Sequence, residues 1–388
     1  MKATRSWRYR LYPSRPQERE LNRYLYECRA LWNLLLERTK KQYGEMCKFP
    51  TRKELYLQTK RTRIFSQVSQ NVADRLCKSI KGMRGRKKAG LKAGFPRFKP
   101  IERMRSFTYP QFGFRLDKKL RLAGIGDISI RKHREIEGRL KTLTIKKTSS
   151  GKWFAVFTSE VEKLPENARK LSLGGEKPAV GIDLGIESFA YLSDGKIIRN
   201  PRHLKKAALK LKAAHKNLSK KKKGGRNREK AKHLLAVAYE KLANRRADFL
   251  HKLSRTLVRG HSLIALEKLK PAKMLKKFLS KPILDCAWAE FARMICYKAE
   301  EAGCKAVFVN PAGTTSECSR CGKSRKKKLA ERWHSCACGA SMHRDLNAAI
   351  NILKRATAGT AGSNACGEEA TAPFLSVSAL NETGSPVL

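Results

Sequence analysis

Four of the eleven cysteines stand together near the C-terminal end, in "CSRCG" and "CACG", as Cys318, Cys321, Cys336 and Cys338. The spacing C-x2-C-x14-C-x-C constrains this stretch more than any other feature does. Its neighbours are Gly, Ser, Arg and Lys, so the thiols have no apolar core to enter. Four thiolates at such spacing close a tetrahedral structural zinc site. A site with all four positions taken supports a fold and leaves no room for substrate. The C-x-C pair is tighter than the usual knuckle, so His334 and His343 stand as alternative donors for one thiolate. The other seven, Cys28, Cys47, Cys77, Cys286, Cys296, Cys304 and Cys366, are scattered, several on apolar helix faces where free Cys acts as a small hydrophobe.

A second feature is an acid where an apolar run ends. "AVGIDLGIESFAYLSDG" reads as a buried strand, a turn and another strand, with Asp183 closing the first. Alone, Asp183 would be a turn residue. Glu267, however, follows the apolar run "SLIAL", and Asp345 precedes "LNAAINIL", where Leu346, Ala349, Ile350 and Leu353 share a helix face. For Asp345 alone the bland role is a helix N-cap. Together the three acids form a set. Parallel strands present their C-terminal ends at one sheet edge, where open α/β sheets bind ligands. Carboxylates crowded there repel one another unless a cation holds them, and oxygen donors suit Mg2+ or Mn2+. Such ions activate water and stabilise the leaving oxygen in phosphodiester cleavage.

Charge says what the chain gathers. It has 86 Lys+Arg against 33 Asp+Glu, a net +53 over 388 residues. An excess that large fits a polyanionic partner, and phosphate contacts make nucleic acid the first candidate. A membrane surface is the weaker alternative, because no run approaches the ~20 apolar residues of a spanning helix. "MKATRSWRYRLYPSRPQE" lacks the apolar centre of a signal peptide, so a cytoplasmic location with reduced thiols is expected.

Two halves are expected. In residues 1–165, a short strand leads into a helix whose Ser14 and Gln17 have capping-box spacing, with Leu21, Tyr24, Leu25, Cys28, Leu31, Trp32 and Leu35 at helical spacing. A second helical region spans about 52–83, and the basic, Gly-rich "MRGRKKAGLKAGFPRFKP" follows. From 107 to 162 short alternating runs, with a hairpin turning at 149–152, predict a small β-barrel or curled sheet with the helices of 15–90 set into it. A polar segment with Pro165 and Gly174–Gly175 leads to residues 166–355. There strands at 180–184, 188–192, 263–266 and 306–309 alternate with helices at about 203–259, 285–302 and 346–353, which predicts an α/β sheet. The pair within 203–259 breaks at "KKKKGGRN". Residues 356–388 contain no Lys or Arg and are expected to be a disordered tail.

Strand-Asp, strand-Glu and "CSRCG…CACGASMHRDLNAAINIL" together resemble the TnpB (OrfB) family, the transposon-encoded RNA-guided DNA endonucleases related to type V CRISPR effectors. "YRLYP", "SQVSQNVADRL", "GFPRFK", "GIDLGI", "RRADFLHKLSRTLV", "LEKLK", "WAEFARMICYKAE" and "RDLNAAINI" look like family landmarks in family order, up to about Arg355. The resemblance implies an α/β RNase H-like (RuvC-type) nuclease domain with an inserted zinc ribbon at about 314–342. It further implies an N-terminal wedge-like β-barrel carrying a helical recognition part. Asp183, Glu267 and Asp345 would be catalytic and hold Mg2+ or Mn2+. A guide RNA from the element's end would direct cleavage of double-stranded DNA beside a short target-adjacent motif, with the protein a monomer in a ribonucleoprotein. One departure is that the family often reads Asp-Arg-Asp before the last helix, and here His343-Arg344-Asp345 stands.

On this reading Arg84, Arg86, Lys87, Lys88, Arg97, Lys99, Lys221, Lys222 and Arg226 track phosphates. Phe95 and Phe98 either stack on unpaired bases or pack under the barrel. Gln70 and Asn71 lie where the family reads its target-adjacent motif, and amide side chains can pair with adenine. The competing functions are a nuclease-dead guided DNA-binding repressor and a strand-joining transposase. Three intact acids argue against the first, and the cysteine cluster just before the third acid argues against the second.

Overall fold

The computed structural model describes residues 2–60, 62–162, 177–269, 274, 280–328 and 331–358. The chain divides into two compact units, Met1–Lys163 and Leu164–Leu388. The expected boundary at 165, the segment with Pro165 and Gly174–Gly175, and the tail beyond 358 lie outside the described residues.

The first unit begins with strand β1, Lys2–Tyr12, and then helix α1, Arg15–Met46. The Ser14–Gln17 capping box is present in both directions, with Pro16 in the first turn, so the helix start is fixed locally. Helices α2, Arg52–Thr59, and α3, Ser66–Lys88, follow. The expected single helical region is thus two helices. The second continues past Met83 through the basic run, because Arg86, Lys87 and Lys88 in its last turn suit the negative end of the helix dipole.

Six more strands complete a seven-stranded antiparallel sheet: β2 Ser106–Tyr109, β3 Phe114–Leu116, β4 Lys119–Leu122, β5 Gly126–Arg131, β6 Arg139–Lys147 and β7 Trp153–Glu162. Its order is β2-β6-β7-β1-β5-β4-β3. The two edge strands approach one another through Tyr109 and Phe114, ring centroids 6.4 Å apart, so the sheet is nearly closed. Strict alternation along β7 sends Trp153, Ala155 and Phe157 inward. They meet Leu21, Tyr24, Cys28 and Leu35 of α1 and Val68, Val72 and Leu76 of α3 in one core. Each such large apolar side chain stabilises the fold by about 1.5–3 kcal/mol relative to exposure.

The second unit holds a five-stranded sheet: β8 Ala179–Leu184, β9 Ser188–Leu192, β10 Ile197–Arg199, β11 Leu263–Glu267 and β12 Lys305–Val309. The order is β10-β9-β8-β11-β12; β8, β9 and β10 form an antiparallel meander, while β11 runs parallel to both β8 and β12. Between β10 and β11 lies a helical pair, α4 His203–Ser219 and α5 Arg226–Gly260. Helices α6, Ser280–Cys286, and α7, Trp288–Ala302, are split by Ala287 in the left-handed region. A two-stranded ribbon, β13 Trp333–Ser335 and β14 Ser341–His343, leads into α8, Arg344–Thr357. Helix α8 therefore reaches two residues into the stretch expected to be tail.

Period 2 assigns the two faces of this sheet. Val180, Ile182, Ile264 and Leu266 pack with Leu250 and Leu257 of α5 and Phe291, Met294 and Ile295 of α7. Ala265, Val307 and Val309 on the other face pack with Ile352 and Ala356 of α8. Gly181 shares that second face and lets α8 lie against the strand backbone. A Cβ built there would sit 2.1 Å from the Ala349 carbonyl oxygen and 2.7 Å from the Leu353 nitrogen. Both are backbone atoms, which cannot rotate away. Gly181→Ala is expected to cost about 3 kcal/mol or more, the upper end for overpacked sites, and chemical denaturation followed by tryptophan fluorescence would read it.

Candidate active site and cysteine cluster

Asp183 and Glu267 are brought side by side by strand register. The last registered pair of the parallel strands is Ile182 with Leu266, and the acids are the next residue on each. Both share the face of Gly181 and Ala265, which is the face covered by α8. On α8, Ala349 and Leu353 lie over Gly181, and Asp345 is one turn earlier on the same helix face. That turn carries it over Asp183, two residues further along β8. Asp345 stands inside the first turn, and the N-cap is His343, whose side chain accepts a hydrogen bond from the Asp345 N–H. The cap, the bland alternative for Asp345, is therefore taken by His343.

The electrostatics follow from this crowding. Burial first, then the charges of Glu267 and Asp345, push the Asp183 carboxyl well above the usual carboxylate range, against the opposing effects of Arg344 and the Leu184 N–H. Burial also raises Glu267, partly offset by the Thr314 hydroxyl, which donates to its Oε1 at 2.5 Å, and by Arg355. Three half-buried acids share one sheet edge with too little positive charge among them. An all-oxygen donor set in that condition has the chemistry a hard divalent cation satisfies.

The four cysteines converge as their spacing predicts. Their Sγ atoms all lie within 4.8 Å of one another, the sole convergent group of His, Cys, Asp or Glu donors of that tightness among the described residues. Cys318 and Cys338 are 3.6 Å apart, and Cys321 and Cys336 are 3.5 Å apart. Tetrahedral zinc with Zn–S bonds of about 2.3 Å sets sulfurs roughly 3.8 Å apart, so the cluster needs little adjustment. Burial opposes ionisation of Cys318, but the Cys321 N–H and the His334 ring outweigh it and hold its thiol down at about 5. His334 is thus a buried neighbour of the sulfurs, outside the four-donor set, and His343 lies elsewhere, stacked on Tyr191.

Helix α8 joins the two clusters through residues the sequence did not single out. Asn347 and Asn351 donate to the Glu317 carbonyl at 2.7 and 2.8 Å, and Asn347 Oδ1 accepts from the Ser319 N–H at 2.8 Å. Asn351 also donates to the Thr314 carbonyl at 2.9 Å, and Arg355 pairs with the Glu317 carboxylate at 2.6 Å. The available signal was a polar stripe at i, i+4 and i+8, on the side of α8 opposite the apolar residues that had been counted.

The expected nucleic-acid residues fall on both units. Arg84, Arg86, Lys87 and Lys88 are exposed on the last turns of α3. Gln70 and Asn71 are half-buried on α3, and Gln70 lines a cleft of about 580 Å3 with Arg52, Lys53, Tyr56 and Lys60. Of the two roles open to Phe95, the geometry is that of packing: its ring lies 5.4 Å from Tyr43 and 5.8 Å from Phe49. Phe98 is half exposed, with the Lys40 ammonium 4.5 Å from its ring. Lys99 lies over Trp32 at 3.9 Å, and Arg97 is exposed. Lys221 and Lys222 sit between α4 and α5, and Arg226 opens α5. No described helix is long and apolar enough to cross a membrane.

A raised carboxyl pKa favours the protonated folded state. Metal-free stability is therefore lost as pH rises from the unfolded value of about 3.9 toward the higher folded value. Asp183→Asn removes that loss. It is expected to raise the melting temperature of the metal-free chain at pH 7–8 by about 2–4 °C, and to match wild type below about pH 4. Melting curves in chelator across that range check both halves.

Comparison with known proteins agrees in extent with this architecture. The family model described as "Probable transposase" matches residues 164–277, "Cas12f1-like, TNB domain" matches 288–352, and "Helix-turn-helix domain" matches 1–48. In that last stretch the structure has one strand and one helix, β1 and α1. A Streptomyces pristinaespiralis protein named "Putative RNA-guided DNA endonuclease" is 33% identical over 94% of this chain and 91% of its own length. An Escherichia coli protein named "Putative RNA-guided DNA endonuclease InsQ" is 28% identical over 91% of this chain and 92% of its own. Among solved structures, the Cas12f1 chain of a complex with single-guide RNA and target DNA shares the fold at a TM-score of 0.55 and 13% identity, covering 90% of this chain and 98% of that one. With a third of its residues shared along nearly its whole length, the chain belongs to the transposon-encoded OrfB (TnpB) family.

Proposed function

We propose that the protein is an RNA-guided, divalent-metal-dependent DNA endonuclease encoded by a transposable element. The reading rests on the register that ends adjacent parallel strands in Asp183 and Glu267, and on the burial of Asp183 where the charges of Glu267 and Asp345 act on it. The second unit is read as an RNase H-like (RuvC-type) nuclease domain, supported by the β10-β9-β8-β11-β12 order and the covering helix α8. The first is read as a wedge-like barrel with α1–α3 as its recognition part.

Mg2+ or Mn2+ bound by the three acids would activate water and stabilise the leaving oxygen. Asp183 and Glu267 hold fixed positions on adjacent strands. Asp345 closes over them from α8, and Thr314 holds one Glu267 oxygen by donating to it. One zinc on Cys318, Cys321, Cys336 and Cys338 would brace the ribbon that α8 grips through Asn347 and Asn351. The basic surface would bind a guide RNA and the DNA backbone, with base pairing to the guide reading sequence and the protein reading only a short motif.

Two outcomes are expected. Metal analysis of the full chain finds about one zinc per chain. Replacing Cys318 and Cys321 with Ser removes it and lowers melting temperature and cleavage together; zinc-free protein that is folded and active refutes the assignment. Copurifying RNA, sequenced from cells carrying the locus, directs cleavage of a matching duplex. Asp183→Ala, Glu267→Ala or Asp345→Ala each lowers that cleavage at least ~1,000-fold, with RNA affinity within about twofold, since each removes an acid and no phosphate contact. Plasmid cleavage retained in Asp183→Ala refutes the assigned chemistry.

A further inference from the structure

His343 is an unusual residue to begin a helix. The residues that cap best are Ser, Thr, Asp and Asn, whose short side chains carry an oxygen back to the first free N–H groups. Here the ring does that work: its Nδ1 accepts from the Asp345 N–H at 3.3 Å. With Nδ1 the acceptor, the ring proton is on Nε2, which faces the Tyr191 hydroxyl at 3.4 Å. The rings of His343 and Tyr191 are parallel within 7° and 4.6 Å apart. Tyr191 in turn is the registered cross-strand partner of Asp183 on β9.

These contacts make a short chain between two acids that have no covalent connection nearby. Asp183 is opposite Tyr191, Tyr191 stacks on His343, and His343 holds the backbone of Asp345. The strand pair also meets α8 at Gly181, one turn further along, which fixes the helix axis, while Arg344 and Asn347 tie the first turn to the segment that carries the cysteines and not to the strands. We propose that the Tyr191–His343 stack is the clamp that sets Asp345 over Asp183, making His343 a positioning residue for the metal-holding acids. It rests on the nuclease reading for its consequence in catalysis. The clamp itself touches neither substrate nor cation. Groups that orient metal ligands in this way cost about 10–100-fold in affinity or activity when lost.

The test separates the ring from the cap. His343→Asn keeps an acceptor for the Asp345 N–H and removes the ring. His343→Phe keeps a ring for Tyr191 and removes the acceptor. His343→Ala removes both, and Tyr191→Leu removes the platform. Mn2+ affinity of the full-length chain is measured by electron paramagnetic resonance. The metal concentration giving half-maximal cleavage is measured on the guide-loaded complex. Expected is a Mn2+ dissociation constant raised about 10-fold or more in His343→Ala, with smaller rises in the single-function variants and a parallel shift in half-maximal metal. Guide-RNA affinity should stay unchanged, which a merely misfolded variant would not preserve. If His343→Ala does not fold, the Asn and Phe variants decide. Unchanged Mn2+ affinity in folded variants, or a wild-type chain that binds no Mn2+, overturns the proposal. If wild type binds Mn2+ but cleaves nothing with its guide, the nuclease reading fails, and the variants' Mn2+ affinities still decide whether the clamp positions the acids.

Discussion

The second unit of this protein depends on one close approach, that of helix α8 to strand β8 at Gly181. With no side chain at 181, helix and strand backbones come nearer than a Cβ would permit. Everything at the sheet edge follows from that distance. Asp183 is two residues along the strand from the contact, and Asp345 is one turn along the helix from it. Moving the helix outward by the width of a methyl group would separate the acids while leaving every strand pairing intact. The site is thus sensitive to a residue that has no polar atom in its side chain.

One helix serves three surfaces. The apolar side of α8, with Ile352 and Ala356, completes the core against Ala265, Val307 and Val309. Its polar side, Asn347, Asn351 and Arg355, satisfies carbonyls and a carboxylate of the segment leading to the cysteines. Its first turn carries Asp345. The ribbon therefore has a mechanical link to the acids although its sulfurs are not among them. Loss of the cysteine site would be felt first at α8, because the Glu317 and Thr314 carbonyls would lose their fixed position. Thr314 would be displaced with them, and it holds one oxygen of Glu267.

Electrostatically the chain is divided against itself. A net charge of +53 favours any polyanion, yet at the sheet edge burial first, and then the repulsion of Glu267 and Asp345, leave Asp183 reluctant to ionise. The two are complementary in a metal-dependent nuclease. Exposed lysines and arginines gather phosphate over a wide area without specificity, and a small negative site needs a cation before any phosphate can approach it. The same division explains why basic residues cluster on helix ends and turns such as the end of α3 and the α4–α5 connection, where solvent lowers the cost of like charges.

Much of this was legible in the sequence because it is written in short-range patterns. Cysteine spacing placed four thiols in one cluster, alternation gave β7 and its neighbours, the Ser14–Gln17 box gave the start of α1, and acids ending apolar runs marked Asp183 and Glu267. For His343 the sequence offered a place as an alternative zinc donor, and for Asp345 the cap as the alternative to a metal-holding role; that His343 is the cap was not legible, since a histidine cap is not written in any spacing. Sequence reasoning merged α2 with α3 and ended α8 four residues early, because helix ends depend on which terminal groups find partners. It left Phe95 with two roles, and only the presence of Tyr43 and Phe49 around the ring selects packing. What the sequence by itself determined is which residues have the chemistry and which element carries each, because period and spacing are local properties. What only the tertiary structure decided is their meeting: register between β8 and β11, the approach at Gly181 and the Tyr191–His343 stack join residues up to 172 positions apart in the chain, and no local pattern encodes a contact across that separation.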